Sequence, residues 1–330
     1  MKYTKLGSSE LNVSRICMGC MGFGVAEAGQ HHWTLDEEAS RAIIHQGLDA
    51  GINFFDTAIA YQGGTSEMFL GKAVKGMNRN DLVIATKFLP RSPQEIDQGI
   101  SVSDHIEASL NASLEHLGMD YADLYIYHMW DYNSPMEEIM DKLDAVVKAG
   151  KVRYIGISNC YASQLQAANE YAASRNQAQF ISVQGHYNLI FREEEKEMIP
   201  FCKANDIAVT PYSALAAGRL SKRPGETSKR LEQDAYAKFK YDAAASKDEE
   251  IIRRVMETAD RRGVSMTEVS LAWLLEKGAV PVAGMTKTHH VEGAAKSTEL
   301  VLSAEEIAYL EEPYTVHDLV GVMATNRPKQ

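Results

Sequence analysis

Cysteine is scarce: Cys17, Cys20, Cys160 and Cys202 are the 4 in 330 residues. That is too few for the disulfide framework of a small secreted domain. Only Cys17 and Cys20 stand at Cys-x-x-Cys spacing, with no second such pair and no histidine pair at zinc-finger spacing. No metal is expected, and Cys17 reads as a reduced thiol on or beside a first strand. Cationic excess is missing too. The net charge of -11 argues against a nucleic-acid partner, since phosphate affinity comes mainly from Lys and Arg, yet it leaves room for a local basic pocket. No apolar stretch approaches the roughly 20 residues that span a bilayer. The opening Met1-Lys-Tyr-Thr-Lys-Leu-Gly7 lacks the apolar core of a secretory signal, so no membrane partner and a cytoplasmic location are expected. No Pro/Gly/Ser-rich linker and no low-complexity segment divides the chain, and residues 1–330 read as one domain.

What is present is a recurrence. Six apolar runs each end on a polar residue: Ile52 to Asp56, Leu82 to Lys87, Leu124 to His128, Tyr154 to Ser158-Asn159, Phe180 to Gln184, and Ala208 to Tyr212. Strands are expected near 15–18, 52–56, 82–87, 124–128, 153–158, 180–184, 207–212 and 279–283, most of them separated by helical patterns. Short apolar runs alternating with amphipathic helices imply parallel strands. Eight such units fit a (β/α)8 TIM barrel better than an open sheet, with reactive groups collecting at the C-terminal strand ends. Residues 2–14 read as a β-hairpin cap for the barrel. Thr34 to Glu37 and Ser134 to Glu137 read as helix-starting capping boxes. The polar stretch 218–247 reads as a loop inserted after strand seven, and the tail from Pro313 as a cover over the barrel mouth.

Adjacent strand ends bring Asp56, Lys87 and His128 together, with Tyr61 on the loop after Asp56. A phenol is a poor proton donor or acceptor at neutral pH; an adjacent ammonium stabilises its anion and is expected to lower its pKa. A carboxylate beside the lysine keeps that amine charged and oriented. A neutral imidazole can donate a hydrogen bond to a carbonyl oxygen as negative charge develops on it. The set suits proton delivery to a carbonyl under reduction. Singly, each residue reads as structural or as a solvated rim group. An aldolase using Lys87 as a Schiff base is a further reading, which Asp56 opposes because it stabilises the charged amine.

These motifs have a family resemblance. Asp56-Thr-Ala-Ile-Ala-Tyr61, Ala85-Thr-Lys87, Tyr127-His128, Gly156-Ile-Ser-Asn159 and Val183-Gln184 resemble the aldo-keto reductases in order and spacing over nearly the whole chain. His128 through Trp130-Asp131-Tyr132 further resembles a bacterial and fungal branch that includes aryl-alcohol-dehydrogenase-like enzymes and is related to potassium-channel β subunits. The resemblance implies an NADPH-dependent reductase of aldehydes and ketones. Tyr61 would be the general acid, Lys87 and Asp56 its tuners, and His128 the group orienting the carbonyl. The alternative it carries is a redox-sensing NADPH-binding regulatory subunit with little turnover.

The glycines Gly19, Gly22 and Gly24 lack the Gly-x-Gly-x-x-Gly spacing of a dinucleotide-binding turn. The resemblance instead places the NADP(H) carboxamide on Ser158, Asn159 and Gln184, and stacks Tyr212 on the nicotinamide. The loop Ser213-Ala-Leu215-Ala-Ala-Gly218-Arg219 would hold the pyrophosphate. Gly284, Thr286, Lys287 and His290 would hold the adenosine 2′-phosphate, while Gly293-Ala294 stands where the family often has Glu-Asn against the adenine. Phe23, Trp33, Phe88 and Trp130 are candidate walls for a small-molecule carbonyl substrate, with the tail near His317 as a lid. Oligomeric state is not legible, and a monomer is the default.

Overall fold

The computed structural model describes residues 1–328. Strands β1 (Tyr3–Lys5) and β2 (Asn12–Ser14) form an antiparallel hairpin with Thr4 opposite Val13. Eight more follow: β3 (Cys17–Gly19), β4 (Phe54–Asp56), β5 (Val83–Phe88), β6 (Ala122–Tyr127), β7 (Val152–Ser158), β8 (Phe180–Gln184), β9 (Ala208–Val209) and β10 (Val282–Gly284). They pair in parallel in the order β10-β3-β4-β5-β6-β7-β8-β9. The ends of that order meet, because Val280 and Val282 donate backbone N–H bonds of 2.9 Å to the carbonyls of Val209 and Pro211. The sheet therefore closes, and all eight expected strands are present. The seventh is short as a regular strand, since Pro211 has no N–H to give a ladder. Its extended path still runs on, with Thr210 and Tyr212 donating to Val183 and Gly185.

Side chains alternate across a strand, and that parity sorts the core. Phe54, Val83, Ala85, Leu124 and Ile126 fill the barrel and meet Leu6, Leu11 and Val13 of the hairpin, which plugs its lower end. The opposite parity, including Phe88, Tyr125, Tyr127, Ile155 and Ile157, packs outward on the helices. Those helices present matching stripes. Met136–Lys148 buries Ile139, Met140, Leu143 and Val146, and Val102–Leu117 buries Ile106, Leu110 and Leu114 before Gly118 ends it in a left-handed turn.

Two helix starts differ from the capping boxes expected. The helix Glu37–Asp49 is capped by Asp36, which accepts from the Ala39 N–H, while the Thr34 hydroxyl turns away to the Gly24 carbonyl. Before Met136–Lys148 no side chain caps the helix, because the Ser134 hydroxyl accepts from Arg91 at 2.9 Å. Of the insertion after β9, residues 219–228 are turns and loop as expected, whereas 229–247 are helical. Ser228 and Asp234 each accept from a backbone N–H at the start of helices Lys229–Gln233 and Ala235–Tyr241. The tail crosses the mouth end, where Asn326 donates to the Trp130 carbonyl at 2.8 Å.

The plug depends on a close approach. Gly7 turns the hairpin at φ +55°, and a Cβ there would stand 2.4 Å from the Ile181 carbonyl oxygen and 2.9 Å from that of Asp206. Gly7→Ala combines a disfavoured backbone angle with overpacking and should destabilise the fold by about 2–4 kcal/mol. Urea denaturation checks it, and an unchanged midpoint would show that the plug yields freely.

Candidate active site

Inward parity continues to the mouth of the barrel, where it delivers Asp56 from β4, Lys87 from β5, Ser158 from β7 and Gln184 from β8 into one polar layer. Gly156 makes room below, since a Cβ there would meet Ser182 Oγ at 2.6 Å. Lys87 is 0 % exposed and donates to three oxygens: Asp56 Oδ1 at 2.5 Å, the Thr57 carbonyl at 2.8 Å and Tyr61 Oη at 3.1 Å. The other carboxylate oxygen of Asp56 accepts from Gln184 Nε2 at 2.9 Å. Burial alone would lower the Lys87 pKa, but Asp56 and Tyr61 outweigh it and hold the ammonium above its ordinary value. A Schiff-base amine needs the reverse, so the aldolase reading loses its footing.

Tyr61 departs from expectation. Burial raises the phenol above its ordinary value, and the pull of Lys87 in the other direction does not overcome it. The hydroxyl is therefore protonated at neutral pH. All three ammonium protons are committed, so Tyr61 Oη accepts from Lys87 and keeps its own proton free to donate. The His128 ring stands edge-on to Tyr61 with centroids 5.9 Å apart. Its Nδ1 is buried with no partner among the described residues. Burial, reinforced by Lys87, pushes His128 down to about 3, so the ring is neutral.

Ser158, Asn159, Gln184 and Tyr212 also meet. Asn159 donates to Ser158 Oγ at 2.8 Å and accepts from Tyr212 Oη at 2.9 Å, and Ser158 donates to the Gln184 carbonyl at 2.7 Å. His186 stacks behind Tyr212 and is itself stacked on Phe191 at 4.1 Å. Arg219 is paired with Asp242 at 2.7 Å. Lys287 precedes the helix Thr288–Ser297, and the Thr286 N–H donates to His290 Nδ1 at 3.2 Å. Burial, then the neighbouring His289, Lys287, Lys222 and Arg230, push His290 down to about 4.

Arg230, which the sequence did not single out as a site residue, reaches this loop: its guanidinium lies 3.8 Å from where a Gly284 Cβ would stand. It also covers the Trp33 ring at 4.3 Å, while Lys229 donates to the His32 carbonyl at 3.2 Å. The insertion thus reaches across to the loop after β3. The run of basic residues at 219–230 was the available signal, but only the fold turns it inward.

Two expected substrate walls are elsewhere. Phe88 follows inward-facing Lys87, so the pleat turns it outward, where it stacks with Tyr125 at 4.7 Å and Tyr127 at 4.9 Å. Phe23 is fully buried in the core beneath the helices. Trp33 and Trp130 remain partly exposed near the mouth, the latter beneath Asn326. His317 is held away from the centre by Asp248, with Nε2 3.0 Å from Oδ1.

His128, His186 and His290 are all held below the roughly 6.5 of an unfolded histidine. Below that value the unfolded chain binds more protons than the folded one, so the stability these rings confer is present above about pH 6.5 and lost as pH falls toward the folded values. His317, raised chiefly by its bond to Asp248, and Glu194, raised to about 7 by burial, act in the opposite sense but are outnumbered, since burial also lowers His31. The melting temperature should fall between about pH 7 and 5, and the His128 ring should show no titration by NMR from about pH 5 to 8. A ring titrating near 6.5 would contradict this account.

Comparison with known proteins agrees with this architecture. The family model described as Aldo/keto reductase family matches residues 20–314. Versiconal hemiacetal acetate reductase of Aspergillus parasiticus is 38% identical, over 95% of this chain and 97% of its own length. A putative aryl-alcohol dehydrogenase of Saccharomyces cerevisiae is 34% identical, over 95% of this chain and 97% of its own. The crystal structure of a thermostable aldo-keto reductase, Tm1743, in complex with the inhibitor epalrestat superposes with a TM-score of 0.76 at 27% identity, covering 95% of this chain and 100% of that one. A closed ring of eight parallel strands, a plugging hairpin and these relatives lead to one assignment: the chain belongs to the aldo-keto reductase family of oxidoreductases.

Proposed function

We propose that the chain reduces aldehydes and ketones to alcohols with NADPH, with Tyr61 as general acid. The observation that carries this reading is the commitment of all three Lys87 protons, which leaves the Tyr61 hydroxyl proton free for a carbonyl oxygen. As Tyr61 gives up that proton, Lys87 lies 3.1 Å from the oxygen and stabilises the phenolate. Asp56, tied to Gln184, fixes the amine. The neutral His128 ring offers an N–H to orient the same carbonyl oxygen without competing as a charged acid. The cofactor, when bound, supplies the hydride that the carbonyl carbon accepts.

The residues suit NADP(H). Ser158, Asn159 and Gln184 form a donor and acceptor cluster of the kind an amide needs, beside the Tyr212 ring. Thr286 and Lys287 suit a 2′-phosphate, and Arg230 adds a guanidinium to the same loop. Gly293 and Ala294 bring no polar side chain to the adenine, which puts more of the affinity on the phosphates. Trp33 and Trp130 favour aryl or medium-sized apolar carbonyls. Relatives named as a reductase and as a putative aryl-alcohol dehydrogenase are consistent with this chemistry.

Tyr61→Phe should bind NADPH as the parent does yet reduce an aryl aldehyde about 10²–10⁴ times more slowly, followed as loss of NADPH absorbance. Full turnover in that variant would remove Tyr61 from the chemistry. Lys287→Ala should weaken NADPH binding by about 1.5–3 kcal/mol while leaving NADH affinity nearly unchanged, as read by fluorescence titration. Equal losses for both cofactors would place Lys287 away from the 2′-phosphate.

A further inference from the structure

Lys240 has no part in the chemistry above, and its surroundings are unusual for an ammonium. It sits on the inserted helix Ala235–Tyr241 and is 5 % exposed. The carboxylates nearest in sequence are taken by other cations, Asp234 by Arg230 at 3.2 Å and Asp242 by Arg219 at 2.7 Å. Among the described residues no carboxylate pairs with Lys240. Its Nζ donates to Ser213 Oγ at 2.8 Å and otherwise faces the rings of Tyr212, Tyr241 and Tyr236 at 4.9, 5.2 and 5.7 Å. The tail roofs it: Gly321 takes φ +63°, and a Cβ there would meet Tyr236 Oη at 2.8 Å and Lys240 Cδ at 3.4 Å.

The loop beneath it is shaped for an anion. Ser213, Ala216, Ala217 and Gly218 take φ of +56°, +48°, +56° and +107°. Changes of backbone hand of this kind turn successive N–H groups to one side and form an anion-binding concavity. Among the described residues, the N–H groups of Ala214 and Leu215 have no hydrogen-bond acceptor. A buried amine without a counter-charge stands beside unsatisfied donors, and the two sets share Ser213. Together they need one partner with several anionic oxygens.

Resting on the cofactor reading above, we propose that Lys240 contacts the pyrophosphate bridge of NADP(H) together with the 213–218 loop, and that binding moves a proton from solvent onto its amine. The groups facing Lys240 set the direction. Burial, then Arg230, lower its pKa, Asp234 opposes them and Arg219 adds to them, and the amine is held down to about 7. His186, on the far side of Tyr212, is neutral and contributes no charge. A dianionic bridge favours the charged amine. By reciprocity, NADP(H) binds more tightly where Lys240 is already protonated, and affinity falls by up to about tenfold per pH unit above about 7.

The test is NADPH binding by the intact protein, by fluorescence titration between about pH 6 and 9 and by calorimetry at about pH 8 in two buffers of different ionisation heat. At that pH the 2′-phosphate, whose second pKa is about 6, is already ionised and contributes no proton change. The parent should take up close to one proton per NADPH. Lys240→Met should take up none, bind about tenfold to a hundredfold more weakly at about pH 6, and lose the fall in affinity above about pH 7. Lys240→Arg, charged at every pH used, should keep the acid-side affinity without proton uptake, which separates charge from folding. Parent binding without proton uptake, or Lys240→Met matching the parent at acid pH, would overturn the Lys240 assignment alone. Failure of the parent to bind NADPH at any pH would overturn the cofactor reading and this assignment with it.

Discussion

The buried pair of Lys87 and Asp56 sets the terms for the rest of the barrel mouth. An ammonium with no exposure is tolerable only because a carboxylate, a backbone carbonyl and a phenolic oxygen take its three protons. Desolvating two charges costs several kcal/mol per ion, which close geometry must recover, and deleting one partner typically costs about 3–5 kcal/mol because the other charge is stranded. Losses of activity on changing Lys87 or Asp56 therefore mix chemistry with folding, whereas removing the Tyr61 hydroxyl leaves the ion pair and the Thr57 contact in place and strands one ammonium proton. The same pair explains why Gln184 spends its amide on Asp56 rather than on solvent.

Much of this was legible in the sequence because the barrel needs only period two. Asp56, Lys87, Ser158 and Gln184 each close an apolar run, and the pleat turns all four inward at the same height. The same rule, applied one residue further, rules out Phe88 as a pocket wall: the neighbour of an inward lysine faces out, here into a stack of rings. The helix starts at 34–37 and 134–137 were misjudged because Thr34 and Ser134 have tertiary hydrogen-bond partners that no local pattern reveals. The direction of the Tyr61 shift was also missed. A sequence shows which charge stands nearby but not the depth of burial, and here burial outweighs the ammonium.

The insertion resists sequence reading for a different reason. Its basic residues lie far along the chain from the loops they meet, and an overall charge of -11 hides them. In the fold, Arg230 lies over Trp33, Lys229 reaches the His32 carbonyl, and Lys240 lies against Ser213. The protein thus concentrates positive charge on one side of the mouth while the acid–amine pair occupies its centre. Long-range folding-back, not composition, creates that division.

The pleat of β5 also fixes what this barrel can absorb by mutation. Val83, Ala85 and Lys87 face in while Phe88 faces out, so adding or deleting one residue within the strand would exchange the two sides. The amine would be thrust among stacked aromatics and a phenyl ring set against a carboxylate. Length changes in this lineage should thus accumulate in the connections and spare the staves, whose frame carries the buried ammonium and the outer packing at once.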